Sequence, residues 1–109
     1  MSEVVVQSHI GEVKAELRNR IPTILEALGI EAEGNAVEEI TNLGAVDTGR
    51  LRGSITHAVD DDSAIIGTDV EYGVYVEMGT YKMQARPFLR NAIENYVDDY
   101  KNIVQAGLQ

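Results

Sequence analysis

The chain holds only two prolines, Pro22 and Pro87, and each stands at the front of a stretch in which apolar residues return every three or four positions. Proline lacks the amide that a helix interior must donate, but in the first helical turn no carbonyl waits for that amide, so the loss is harmless there. The two prolines therefore mark two helix starts and bracket whatever lies between them. After Pro22, the residues Ile24, Leu25, Leu28, Ala32, Ala36, Ile40 and Leu43 keep helical spacing, and Gly44 follows as a natural stop. Gly29 and Gly34 each cost about 1 kcal/mol relative to alanine inside a helix, and the sequence leaves open whether the helix bends or breaks near Gly29. After Pro87, one continuous closing helix is expected. Its apolar stripe is Leu89, Ile93, Tyr96, Tyr100 and Ile103, with Arg90, Glu94, Asp98 and Lys101 on the solvent side.

Ahead of Pro22, Val4, Val5 and Val6 form a short β-branched run. Ser8 can cap a helix beginning at His9, whose buried face would be Ile10, Val13, Leu17 and Ile21. Between the two prolines the period changes. Ser54 to Val59 and Ala64 to Gly67 read as strands joined by the turn Asp60-Asp61-Asp62-Ser63, which makes a hairpin. Tyr72 to Met78 fits both periods, since Tyr72, Val74, Val76 and Met78 alternate while Tyr72, Tyr75, Val76 and Gly79 share a helical face. Asp69 as a cap selects a short helix. The expected fold is α+β over residues 1–109 as one domain: amino-terminal helices and a long carboxy-terminal helix packed on a small antiparallel sheet.

With 44% hydrophobic and 25% charged residues the chain has ordinary globular usage. Its 18 Asp and Glu against 9 Lys and Arg leave a net charge of −9, which opposes gripping nucleic acid phosphates but suits a solvated surface or a lining that DNA slides past. No cysteine is present, so disulfide and thiolate chemistry are excluded. No apolar run approaches the ~20 residues of a membrane span, and the amino end lacks the pattern of a signal peptide.

The triplet Asp47-Thr48-Gly49 is the arrangement that aspartic proteases use to hold one of two proton-sharing carboxylates, and Ala64-Ile65-Ile66-Gly67 resembles the second signature of the retroviral type. Only Arg50 to Ser63 lies between them, too little for a flap hairpin, and Arg50 and Arg52 would set two cations beside carboxylates that need a tuned pKa. The plainer role for Asp47 is to cap a helical turn over Thr48 to Arg52, with Gly49 allowing close backbone approach. His9 and His57 stand apart from any metal-ligand spacing, and His57, sharing a strand face with Ile55 and Val59, reads as a packed or interfacial histidine. The three consecutive aspartates lack the spaced oxygens and distal glutamate of a calcium loop and read as a solvated hairpin tip. No metal, cofactor or nucleophile-and-base arrangement can be assembled. Tyr72, Tyr75 and Tyr81 fall in one glycine-bearing window and suit either core or contact roles.

Taken together, the stretches VDTGRLRGSI, AIIGTDVEYGVYVEMGT and ARPFLRNAI resemble the tail-completion, or head-tail joining, proteins of long-tailed bacteriophages. Asp47, Thr48, Gly49, Arg50 and Leu51 match the family's first block. Tyr72, Tyr75, Val76, Glu77, Gly79 and Thr80 match the second, and Ala85, Arg86, Pro87 and Phe88 the third. Ala45 and Gln84 stand where the family often has proline. The resemblance implies a non-enzymatic virion protein, made in the host cytoplasm and forming a ring at the neck. Its partners would be copies of itself, the connector or stopper, and the tail tube or tail terminator, with DNA passing through and no sequence-specific DNA or membrane binding. Asp47 and Arg50 are then expected to be structural, with Arg50 paired to a carboxylate, Glu77 being the candidate. The segment from Glu71 to Arg86, with Tyr72, Tyr75, Met78, Tyr81 and Met83, is expected to supply subunit contacts because aromatics and methionine are enriched where proteins meet.

Overall fold

The computed structural model describes residues 2–7, 18–43 and 48–109. The proposed helix from His9 with its stripe of Ile10, Val13 and Leu17, the stop at Gly44 and the cap at Asp47 lie outside the described residues. Within them the order is β1 (Ser2–Gln7), α1 (Ile21–Leu43), α2 (Thr48–Gly53), β2 (Thr56–Val59), β3 (Ser63–Thr68), α3 (Gly73–Met78), α4 (Phe88–Glu94) and α5 (Val97–Leu108). The fold is α+β, as expected.

The hairpin forms where the period-two pattern places it, Val59 pairing with Ala64 and Thr56 with Gly67. The valine run joins it as a third strand. β1 lies antiparallel on the other side of β3, with Val4 opposite Ile66 and Val6 opposite Ala64, so β3 is the central strand. Its even-numbered residues Ala64, Ile66 and Thr68 are buried, and the odd-numbered Ile65 and Gly67 face outward and are only half-buried.

α1 is the organising element. Its buried residues Leu25, Leu28, Ala32, Ala36 and Ile40 meet Ile66 of β3, Leu51 of α2, Phe88, Leu89 and Ala92 of α4, and Tyr100 of α5 in one core. The face is broad because α1 serves two neighbours, the sheet on one flank and α4 and α5 on the other.

Two expectations need correction. α1 runs unbroken through Gly29 and Gly34 for 23 residues, making it, rather than the carboxy-terminal helix, the long one. The closing helix is in turn two helices, interrupted at Asn95 and Tyr96, where Tyr96 adopts φ −126°, ψ 26°. The stripe nonetheless points as expected. Leu89 and Tyr100 are buried, Ile93, Tyr96 and Ile103 pack on the core, and Arg90, Glu94, Asp98 and Lys101 are exposed. Both tyrosines turn to α1: the Tyr96 hydroxyl donates to Glu39 (2.8 Å), while that of Tyr100 accepts from Asn35 Nδ2 (3.0 Å) and donates to the Ala92 carbonyl. Asn35 is therefore a satisfied buried polar group.

Candidate interaction site

The second and third motif blocks fold into one unit. α3 ends at Gly79, whose φ of +79° is a conformation that residues with a Cβ rarely adopt, and whose amide donates to the Tyr75 carbonyl (2.8 Å). A Cβ at this position would also stand 2.7 Å from the Ala85 amide nitrogen. The chain then reverses tightly. Thr80 and Met83 exchange backbone hydrogen bonds (2.8 and 3.2 Å), and Thr80 Oγ1 accepts the Lys82 amide (3.2 Å). Tyr81 and Lys82 are thereby held at the tip of a small hairpin, Tyr81 93% exposed and the Lys82 ammonium 5.4 Å from the centre of its ring.

The return limb is pinned at both ends. The Arg86 amide donates to the Val76 carbonyl (2.7 Å), and the Arg86 guanidinium reaches the Leu43 carbonyl (3.4 Å) in the last turn of α1, where carbonyls lack helical partners. Pro87, at φ −77°, ψ 77°, is the centre of an inverse γ-turn, with the Phe88 amide donating to the Arg86 carbonyl (2.8 Å). Pro87 is thus the cap preceding α4 rather than its first residue, and it delivers Phe88 into the core at 1% exposure.

Glu77 completes the unit. Its two carboxylate oxygens accept the amides of Leu89 (2.8 Å) and Arg90 (3.2 Å), the unpaired first-turn donors of α4. This corrects the expected pairing with Arg50. Arg50 instead lies 3.9 Å from Glu71 and 5.5 Å from the centre of the Tyr72 ring, with both members of the ion pair largely exposed. Asp69 is likewise not the cap of α3, because Tyr72 occupies that position and no side chain caps it.

The remaining first-block residues divide. Leu51 is 2% exposed in the core, Gly49 is on the surface in α2, Thr48 begins that helix, and Asp47 is outside the described residues. The tyrosines divide too: Tyr72 packs on the core, whereas Tyr75 and Tyr81 are exposed together with Met78 and, at the margin, Met83. The structure therefore brings the second and third blocks together and adds an exposed aromatic and methionine surface to them.

A second cluster was only half legible in the sequence. His57 faces α1 from β2, its Nε2 2.6 Å from Glu26 and its Nδ1 3.0 Å from Glu33. A carboxylate oxygen at each ring nitrogen favours the imidazolium, the one form in which both nitrogens can donate. Hydrogen bonding to Glu26 first and Glu33 second raises its pKa above the ordinary value of 6.5. Gly29 makes the contact possible, since a Cβ there would lie 2.6 Å from His57 Cδ2. At the hairpin tip, Asp60 Oδ1 accepts from the Ser63 hydroxyl (2.8 Å) and from the amides of Ser63 (2.9 Å) and Asp62 (3.1 Å), which holds its pKa below the usual carboxylate value. Among the described residues, no group of three or more His, Cys, Asp or Glu side chains is arranged so that it could hold a metal ion, and no helix is long and apolar enough to cross a membrane.

No protein-family model matches this chain, and neither does any curated protein or solved structure.

Proposed function

We propose that the chain is a structural protein of the neck of a long-tailed bacteriophage, completing the tail at its head-proximal end by forming a ring. The observation that carries this reading is the unit of the second and third motif blocks. Glu77, Gly79, Arg86, Pro87 and Phe88 spend their chemistry on caps, turns and core anchoring, and the product is a helix and hairpin that together show Tyr75, Met78, Tyr81 and Met83 to solvent. Residues used in this way hold a surface in place, and the side chains it displays are of the aromatic and methionine kinds enriched where proteins meet. The ring's members would be copies of this chain, its axial neighbours the connector or stopper and the tail tube or terminator, and its acidic surface would let DNA pass without adhering.

Particle imaging tests the assignment. In virions from the phage or prophage that encodes the chain, density for it should form a closed ring where tail meets head, and deleting the gene should leave filled heads and unjoined tails. Density spread along the tube, a single copy, or normally joined particles from the deletion would refute it.

A further inference from the structure

The solvent face of α1 carries an exposed isoleucine and a glycine that no contact among the described residues accounts for. Glu26, Ile30, Gly34 and Glu38 follow at four-residue intervals and so form one ridge, and all four are exposed, Ile30 at 57%. The two glycines of this helix differ in kind. Gly29 makes room for the His57 ring, whereas a Cβ at Gly34 would meet nothing within 4 Å. Glycine at that point gives up helix propensity and gains no close contact among the described residues. The missing side chain leaves a notch in the ridge between Ile30 and Glu38, with Glu31 three positions before it and Glu38 four after.

The hairpin described above has the complementary chemistry. Tyr81 stands almost wholly in solvent, Lys82 extends beside its ring, and Met78 is 72% exposed. An aromatic ring with an adjacent cation complements an exposed isoleucine on a helix face that also carries Glu31 and Glu38. In a chain of net charge −9, any other copy of the chain offers such a cationic tip an acidic surface.

We propose that the Tyr81–Lys82 hairpin of one copy docks on the α1 ridge of the next, the Tyr81 ring lying over Gly34 against Ile30 and the Lys82 ammonium among Glu31 and Glu38. This rests on the ring reading above and supplies the surface that the hairpin meets. The contact is heterologous, hairpin to helix, so successive copies can close into a ring.

The test places a photoreactive benzoylphenylalanine at Tyr81 and irradiates a concentrated mixture of heavy-isotope-labelled and unlabelled chain. Peptides joined between copies are then identified by mass spectrometry. The expected products join position 81 of one copy to the segment 26–41 of another. Gly34→Leu, which fills the notch from the solvent side, should cut their yield about tenfold, the scale of effect for blocking a central contact, with no fall in the thermal midpoint. Products joined elsewhere on a second copy, or a yield unchanged by Gly34→Leu, overturn this surface while leaving a ring possible by another contact. No intermolecular product at all overturns self-docking through Tyr81. The neck assignment fails separately, if particle images show no ring, whatever the crosslinks show.

Discussion

Glu77 spans two motif blocks with one carboxylate, and its removal would leave the Leu89 and Arg90 amides of α4 without acceptors. Glu77→Ala should destabilise the fold by about 1–2 kcal/mol, the usual cost of a lost helix cap, and Glu77→Gln, which retains one acceptor oxygen, by less. The midpoint of urea unfolding reads both. Arg50→Ala is the control: its pairing with Glu71 is long and exposed, and such pairs contribute less than about 0.5 kcal/mol. Equal losses from the Glu77 and Arg50 variants would mean that the cap is not what holds the unit. His57 supplies a second prediction at this scale. Because its pKa is raised in the fold, its contribution is fully present below the unfolded value near 6.5 and is lost as pH rises through the folded value. His57→Gln should therefore cost about 1–3 kcal/mol at about pH 6 and progressively less as pH rises through the raised folded value. A cost that stays constant across that range would show that the ring acts through packing and not through its charge.

At the scale of elements, α1 offers an internal comparison between two glycines five positions apart. Gly29→Ala places a methyl 2.6 Å from the His57 ring, with β2 behind that ring, and should cost about 1–3 kcal/mol as overpacking. Gly34→Ala adds a methyl in open space and should stabilise the isolated chain by about 0.5–1 kcal/mol through helix propensity. In a His57→Ala background the penalty at Gly29 should vanish. Thermal unfolding of the four variants checks the set, and a Gly29→Ala variant as stable as Gly34→Ala would remove the assigned reason for Gly29. These two residues also mark how far sequence reading reaches. Helical spacing located α1 and the Leu89 to Ile103 stripe, and period-two spacing the hairpin, because periodicity reports which side of an element is buried. It could not tell a breaking glycine from an accommodating one, since that depends on His57, 28 residues away on another element. The interruption at Asn95 and Tyr96 escaped for a related reason: the apolar spacing runs straight through it. The pairing of β1 with β3 joins segments some 60 residues apart and leaves no local signal beyond the valine run. Of the site, the blocks themselves were legible, but the partner of Glu77 was not, because a backbone amide carries no signature in the sequence.

At the scale of the whole molecule, charge sets two opposing terms for assembly. Each copy carries −9, so copies repel over distances comparable to the subunit, which measures 51 × 22 × 22 Å. Lys82 is among the few cations and sits at the tip of the hairpin that meets the acidic ridge of α1 in the proposed contact. The two terms differ in range, and salt separates them. At about 0.01 M the screening length of about 30 Å leaves subunit-wide repulsion intact, near 0.1 M it falls to about 10 Å and that repulsion is largely gone, and at 1 M, with about 3 Å, even contact pairs are weakened. Self-association should therefore rise from low to intermediate ionic strength and fall again towards 1 M. Lys82→Glu should flatten the descending limb, since it replaces a contact attraction with a further repulsion that salt can only relieve. Sedimentation velocity across the salt series measures both curves. A Lys82→Glu chain whose association peaks at the same salt and with the same strength as the unaltered chain would exclude this hairpin from the contact. Association of the unaltered chain that climbs steadily to 1 M would show that apolar burial alone drives it, leaving Tyr81, Met78 and Ile30 as the residues whose loss should then matter.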